Sequence, residues 1–465
     1  MDKSNNTYLF YDIETTGLNK CFDQVLQFAA IRTDLTLNEL ERHFIHIRLN
    51  CDVVPSPSAI TTHRITLEEI QSGKPEIDAI HEIHRLMNTP GTISLGYNTL
   101  GFDDEFLRFS FYRNLLPPYT HQFANQCRRM DLYPIAVMFY LFKRDAIQWP
   151  NVDGKITMKL EHLSAANQLA QGQAHNAMVD VEATLSLAKK FMAHKNMWDY
   201  AIGYFDKNED IRRSQQLPIS FESEHMTFRE ALLINGNLGA TLCYQAPVLS
   251  LGQHQHYKNQ SLWLRLDSET LQTTTPDSIA ETTSVIRKRA GEQPILLPPL
   301  ERFLIHLTPE RQHLANANKT WLHDHPDLLQ LICDYHQQYC YPKVDNVDPD
   351  AALYELDFPT SREEFLFQRF HLAKPEDKED LIKQFPNTIR QEQALRILGR
   401  HFAETLSDSS NQQFLEYLQT IPIDYRGRQR LTRTQALQEI AFLKNEGGLD
   451  SEQVGLLEAL EGYLR

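Results

Sequence analysis

The acidic triplet Asp12-Ile13-Glu14 follows without a break on the apolar run Tyr8-Leu9-Phe10-Tyr11. Further short apolar runs at 25–31, 44–47 and 92–95 have the length and bounds of strands. Then the period changes. Residues 102–112, 131–142 and 177–192 carry apolar positions three and four apart, the spacing of helices with one buried face. A chain that mixes both periods over residues 1–195 has the pattern of a mixed α/β domain.

Strand side chains alternate, so Asp12 and Glu14 point to the same face. Two carboxylates so placed suit a pair of divalent cations roughly 3.5–4 Å apart, the arrangement that stabilises attacking and leaving oxygens in phosphoryl transfer. Thr15-Thr16-Gly17 then turns the chain, with Gly17 expected at positive φ. A lone Asp-x-Glu is far more often a solvated strand end, so the reading depends on its company. Asp103 opens a helix with Phe106, Leu107 and Phe109 as its buried stripe, which aims Asp103 back over the sheet end. Asp104 is turned about 100° away and reads as a charge favoured by the helix N-terminus. His175 and Asp180 are five apart and cannot share one helix face. His175 is therefore expected on the loop entering the helix, with Asp180 on metal. An imidazole titrating near neutrality suits taking a proton from a metal-bound water.

Residues 196–345 read as a small, mostly β domain, with short runs at 240–244, 248–251 and 262–266 separated by Gly, Asn, His and Gln. The stretch 339–350 reads as a linker, and 346–465 as helical. There Ser361-x-x-Glu364 suggests a capping box, and Asp450 or Ser451 opens a last helix. The net charge of −15, from 46 basic and 61 acidic residues, excludes a generic polyanion binder and makes any nucleic-acid contact local. Candidates for such contact in the first domain are Phe102, Arg108, Tyr112, Arg113, Arg128 and Arg129, each also readable as core or as solvated surface. Arg287-Lys288-Arg289 and 425–430 are the other compact basic runs, suited to DNA, to an acidic peptide tail or to neither. The apolar segment 132–142 is too short to span a bilayer and contains Pro134, so no membrane association is expected. Six cysteines without a Cys-x-x-Cys pair, and a polar N-terminus, suggest a reducing, cytoplasmic setting.

Three blocks, Asp12-x-Glu14-Thr-Thr-Gly, Asn98-x-x-x-Phe-Asp103 and His175-x-x-x-x-Asp180, resemble the DEDDh 3′→5′ exonucleases, as does Pro57-Ser-Ala-Ile-Thr-Thr-His-Arg-Ile-Thr66 except for Arg64, where glycine is common. Gln27-Phe-Ala-Ala-Ile-Arg-Thr-Asp34, Phe111-Tyr-Arg-Asn114, Leu160-Glu-His-Leu163 and Asp345-Asn-Val-Asp348 narrow the resemblance to the bacterial exodeoxyribonuclease I family. It implies a ribonuclease-H-like α/β exonuclease domain (1–195), an SH3-like mostly β domain (196–345) and an all-α C-terminal domain (346–465). It also implies stepwise 3′→5′ hydrolysis of single-stranded DNA to 5′-mononucleotides, in repair and recombination, with two Mg²⁺ ions for which Mn²⁺ substitutes. The implied partner is the C-terminal tail of single-stranded DNA-binding protein, and the expected state is a monomer. Carried over by position, Asp12, Glu14 and Asp180 are direct metal ligands, Asp103 a ligand through water and His175 the general base. Glu14 also touches the terminal nucleotide, and Lys159 replaces an arginine that faces the substrate phosphate, keeping the charge without the bidentate fork. An exoribonuclease or proofreading exonuclease would share the catalytic residues. A single-strand clamp that binds without cutting is the rival from another class.

Overall fold

The structure, a computed structural model, describes residues 6–171, 176–224 and 226–465. Two compact units make up the chain. The first combines Met1–Arg129, Ala170–Glu182 and Lys343–Arg465; the second combines Met130–Leu169 and Ala183–Pro342.

The first unit is organised around β1 (Thr7–Thr15). This strand pairs antiparallel with β2 (Val25–Thr33), which pairs in turn with β3 (Glu39–His46). On its other side β1 runs parallel to β4 (Thr92–Gly96), with β5 (Arg128–Asp131) beyond, giving the order β3-β2-β1-β4-β5. Every residue of β2 is buried, as a strand covered on both faces requires. The outer β3 is largely exposed and carries Glu39, Glu41 and Arg42, charges that discourage edge-to-edge pairing. Ile80, Ile83 and Met87 of α3 (Glu76–Met87) and Phe106, Leu107 and Phe111 of α4 (Asp103–Arg113) pack with Leu9, Tyr11, Phe28 and Ala30 of the sheet.

The C-terminal region belongs to the same unit and adds a second hydrophobic cluster to it. Ile60 of α1 (Pro57–His63) and Ile70 of α2 (Leu67–Ser72) pack with Ala436, Ile440, Leu457 and Leu460. Arg64 closes α1 in the left-handed conformation at φ 59°. Its guanidinium reaches Glu452 and lies 2.6 Å from Asp450, a tie that a glycine could not make. The segment 339–350, expected as a linker, is anchored at its end by ion pairs. Arg396 Nη1 sits 2.6 Å from Asp348, and Arg400 Nη2 bridges Asp350 at 2.6 Å and Asp52 at 2.7 Å. The capping box lies one residue earlier than the sequence suggests, with Thr360 as N-cap and Glu363 returning the bond, because Thr360 is the last extended residue before the helix Ser361–Leu372. Asp450 caps the last helix, as expected.

The second unit contains a sheet in which Gln245–Gln253 lies between Thr227–Ile234 and Gln260–Arg265. Val285–Arg289 and Ile295–Leu297 extend it, and Ile219–Glu222 also pairs with Thr227–Ile234. The expected strand at 240–244 is instead a 3₁₀ turn followed by Cys243 at φ 49° and Tyr244 at φ 55°, left-handed positions that no strand accommodates. Leu329, Ile332 and Cys333 of the helix Pro326–Gln338 pack against Leu249, Leu251, Leu262 and Leu264. In Arg287-Lys288-Arg289 strand alternation buries the middle residue, and Lys288 Nζ pairs with Asp210 at 2.7 Å, so the run is not a continuous basic patch. The run 425–430 is likewise engaged: Tyr425 stacks on Phe109 and Arg428 pairs with Asp424 at 3.0 Å. The apolar α5 (Leu132–Phe142) has Asp131 as its N-cap and Pro134 in its first turn, where no intrahelical N–H is needed. Among the described residues no helix is long and apolar enough to cross a membrane.

Candidate active site

The β1–β4 pairing ends at Phe10 and Leu95, while β1 runs on against β2 with Asp12 opposite Ala29 and Glu14 opposite Gln27. Asp12 and Glu14 therefore stand at the carboxyl end of the parallel pair, where open α/β sheets bind ligands. Gly96 lets β4 end close against β1: a Cβ there would come 2.5 Å from the Tyr11 carbonyl oxygen and 2.2 Å from Thr99 Cγ2. The chain then turns through Asn98 at φ 65° into α4. This places Asp103, whose Oδ1 accepts a hydrogen bond from the Ile13 backbone N–H at 3.2 Å. Gly17 does not take the expected positive φ. Its hydrogen makes room for Asp23, whose carboxylate a Cβ would approach to 2.5 Å; Asp23 accepts from Thr16 Oγ1 at 2.9 Å and Asn19 N at 2.7 Å and so locks the turn.

Asp180 enters from the first-unit portion of α7 (Ala177–Met192). One ligand oxygen from each of Asp12, Glu14 and Asp180 lies within 4.8 Å of the others. The crowding is visible in their proton affinities. Burial, then Asp103, Glu14 and Asp180, raise Asp12 well above the usual carboxylate range. Burial, then Asp180 and Asp103, push Glu14 up to about 9. A cluster of hard carboxylate oxygens with such an excess of negative charge fits a divalent cation of the Mg²⁺ or Mn²⁺ type.

Asp104, one residue from Asp103, meets the opposite surroundings. It is fully buried, with Arg108 Nη2 and His121 Nε2 each 2.8 Å away and Arg129 bonded to the same carboxylate. Burial alone would raise it, but Arg129, His121 and Arg108 hold it far below the usual range. It is thus an interior ion-pair hub rather than an exposed helix-end charge. Nothing in the spacing of His121 and Arg129 signals this, because their partner is chosen by the fold.

Three expected DNA contacts lie in the interior. Arg108 is 4% exposed and holds Asp104; Arg113 is 3% exposed, with Nε 3.1 Å from Glu76; Tyr112 is 2% exposed. Each is on α4, whose faces are nearly all covered, so none is free to meet a strand. Phe102 is half-buried against Phe106, with ring centroids 4.8 Å apart, and Arg128 is half-buried in β5. Lys159, at the N-cap of α6 (Leu160–Asn167) in the second unit, is exposed with Nζ 3.3 Å from Glu161. His175 lies outside the described residues.

A sheet with acids gathered at the end of its parallel pair suits metal-assisted phosphoryl chemistry, and the comparisons give the class as exonuclease. Residues 9–188 match the family model "Exonuclease", and residues 347–465 match "Exonuclease I C-terminal domain". Exodeoxyribonuclease I of Escherichia coli (strain K12) is 28% identical over 99% of this chain and 98% of its own length. The crystal structure of E. coli exonuclease I in complex with a dA16 oligonucleotide is similar at a TM-score of 0.84 and 25% identity, covering 99% of both chains. The zinc-ion-bound form of an E. coli exonuclease I–single-stranded DNA complex matches at 0.83 and 25% identity over 98% of both. A structure of SSB/exonuclease I with the inhibitor CFAM matches at 0.82 and 26% over 99% of both. The chain is a nuclease and belongs to the exodeoxyribonuclease I family.

Proposed function

We infer that the protein hydrolyses single-stranded DNA stepwise from the 3′ end and releases 5′-mononucleotides. The observation that carries this reading is the convergence of Asp12, Glu14 and Asp180 within 4.8 Å, in a chain similar end to end to exodeoxyribonuclease I. Asp12, Glu14 and Asp180 are the direct ligands of a divalent cation, Mg²⁺ in the cell, with Mn²⁺ as a substitute. Bound there, the metal supplies a Lewis acid and a water of lowered pKa. Asp103, held by the Ile13 N–H, acts from behind β1 through water and keeps the strand end in place. The general base is His175, assigned by sequence position, which takes a proton from the attacking water. Glu14 also abuts the terminal nucleotide, and Lys159 offers its exposed ammonium to a substrate phosphate.

The second unit offers aromatic and cationic groups of the kind that single strands use: the Arg287 guanidinium lies 4.9 Å from the ring centroid of Tyr341 and 5.1 Å from that of Tyr339. The partner we infer is the C-terminal tail of single-stranded DNA-binding protein, supported by the similarity to the SSB/exonuclease I structure. Six cysteines without a disulfide support a reducing, cytoplasmic setting.

The test is a digest of 5′-labelled single-stranded DNA, and of RNA of matched sequence, with Mg²⁺ or EDTA, beside Asp12→Ala. A ladder shortening from the 3′ end on DNA alone, absent with EDTA and in the variant, is expected. Cutting of RNA instead would replace the substrate, and binding without cutting would turn the protein into a clamp.

A further inference from the structure

The basic run 425–430 lies on a hairpin of the C-terminal region that closes on the turn following Glu14, inside the same unit as the acid cluster. Ile423 bridges antiparallel to Gln429, and Gly427 takes φ 76° at the tip, a conformation that favours glycine. Asp424, wholly buried, builds the hairpin from within. Its Oδ1 accepts from the Arg426 and Arg428 backbone N–H groups at 2.8 and 2.9 Å, and its Oδ2 from Arg428 Nε at 3.0 Å. The same Oδ2 accepts from Asn19 Nδ2 at 3.2 Å, in the turn that Asp23 locks.

The hairpin is also held to α4, the helix that opens with Asp103. Tyr425 stacks on Phe109 with ring centroids 5.9 Å apart and meets the Tyr354 ring edge to face at 4.9 Å. Beside Asn19, Lys20 Nζ donates to the Gly101 carbonyl oxygen at 2.5 Å and pairs with Glu105 in the first turn of α4. Turn, helix and hairpin thus form one assembly around the segments that carry Glu14 and Asp103.

Arg426 is the cation this assembly leaves over. It is exposed, its guanidinium lies 5.3 Å from the Tyr425 ring centroid, and among the described residues no carboxylate pairs with it. Glu105 and Asp424, nearby acids that act on it, are already bonded to Lys20 and to Arg428. Arg428 is half exposed as well. The location selects the anion. Acids that gather a metal also repel the phosphates of an incoming strand, and a cation held next to them offsets that repulsion where the 3′ end must enter. Single strands are gripped by cations along the backbone and aromatic rings beside the bases. Tyr354, 43% exposed next to Tyr425, offers such a ring, for which an acidic peptide has no use.

We propose that Arg426 contacts a backbone phosphate of the single strand whose 3′ end lies at the acid cluster, an assignment that rests on the single-strand reading above. The full-length protein is titrated in EDTA, which blocks cutting, with 5′-labelled single-stranded DNA over a range of salt concentrations. Arg426→Gln binds about three- to tenfold more weakly at low salt. Its slope of log K against log salt is shallower by about 0.7, the value for one phosphate contact on a single strand. Arg426→Lys, which keeps the charge, restores the slope. With Mg²⁺, Arg426→Gln raises KM by a similar factor and leaves kcat unchanged. An unchanged slope in Arg426→Gln overturns the proposal, and so does a shallower slope in both variants. An acidic peptide that binds wild type but not Arg426→Gln, while DNA binds both equally, also overturns it and gives the hairpin to a protein partner. Absence of cutting by wild type with Mg²⁺ sinks the nuclease reading alone, and the binding slopes still decide the role of Arg426.

Discussion

Asp103 and Asp104 are neighbours in the chain, yet they belong to carboxylate groups with opposite electrostatics. The charge of Asp103 adds to those that raise the proton affinity of Asp12 and Glu14, Asp180 among them. Asp104 is surrounded by Arg108, His121 and Arg129 and is held ionised. The Asp52–Asp350–Arg400 group repeats the second pattern: burial would raise both acids, but Arg400 holds them below their usual range. The contrast separates function from architecture. Where the fold supplies the counter-charge, the acid holds structure together; where it withholds it, the counter-charge must come from outside.

The sharpest way to break this comparison is to remove one acid from each group. Asp12→Ala loses hydrolysis by about 10²–10³-fold or more, judged by analogy with removal of a single electrostatic stabiliser, while its thermal midpoint without metal stays level or rises because repulsion is relieved. Activity comparable to wild type on labelled single-stranded DNA would place the chemistry elsewhere. Asp104→Asn has the opposite profile. It leaves Arg108 and Arg129 buried without their anion and costs about 3–5 kcal/mol in denaturant unfolding, an effect that should be nearly absent if Asp104 were a surface charge.

Metal sharpens the same contrast. Saturating Mg²⁺ should stabilise the wild type by roughly 2.7 kcal/mol at about a hundred times its dissociation constant, and Asp12→Ala by much less; equal shifts in calorimetry would mean that the ion binds away from the cluster. Buried histidines extend the comparison to groups that avoid charge. Burial pushes His371 down to about 3, and His84 and His401 down to about 4. The folded form thus binds fewer protons than the unfolded form, whose histidines titrate near 6.5. Stability is fully present above that pH and falls as pH drops toward 4, by on the order of a few kcal/mol after allowing for partial solvent access. A flat stability curve between those limits would contradict it. The smallest effect is expected at Arg64→Gly. Relief of the left-handed backbone and loss of exposed ion pairs nearly cancel, leaving the denaturation midpoint close to that of wild type.

Much of the site was legible in one dimension. The triplet Asp12-Ile13-Glu14 on an apolar strand, and Asp103 opening a helix with a phenylalanine stripe, are local patterns, and local periodicity dictates which face each side chain takes. The helix Ala177–Met192 and the cap at Asp450 were likewise local. What failed were inferences about exposure. Arg108, Tyr112 and Arg113 were candidates for strand contact that could as well be core or solvated surface; each is covered in the folded unit, and Lys288 vanishes into a pair with Asp210. Charge type says what a residue can contact; burial decides whether a ligand reaches it. Gly17 failed for a related reason, since its need for space comes from Asp23 folding back over it.

By itself the sequence determined the α/β order of the first domain, the strand that carries two acids and the acidic residues able to share a metal, because these depend on period and spacing within short segments. Only the tertiary structure decided that the C-terminal region packs into the same unit as the exonuclease sheet, that Asp104 is neutralised while its neighbours are not, and that Asp424 bonds Asn19 in the turn after Glu14. Those outcomes rest on contacts between residues hundreds of positions apart. No local pattern encodes which distant charge will arrive, and in a low-dielectric interior that arrival decides whether an acid is structural or reactive.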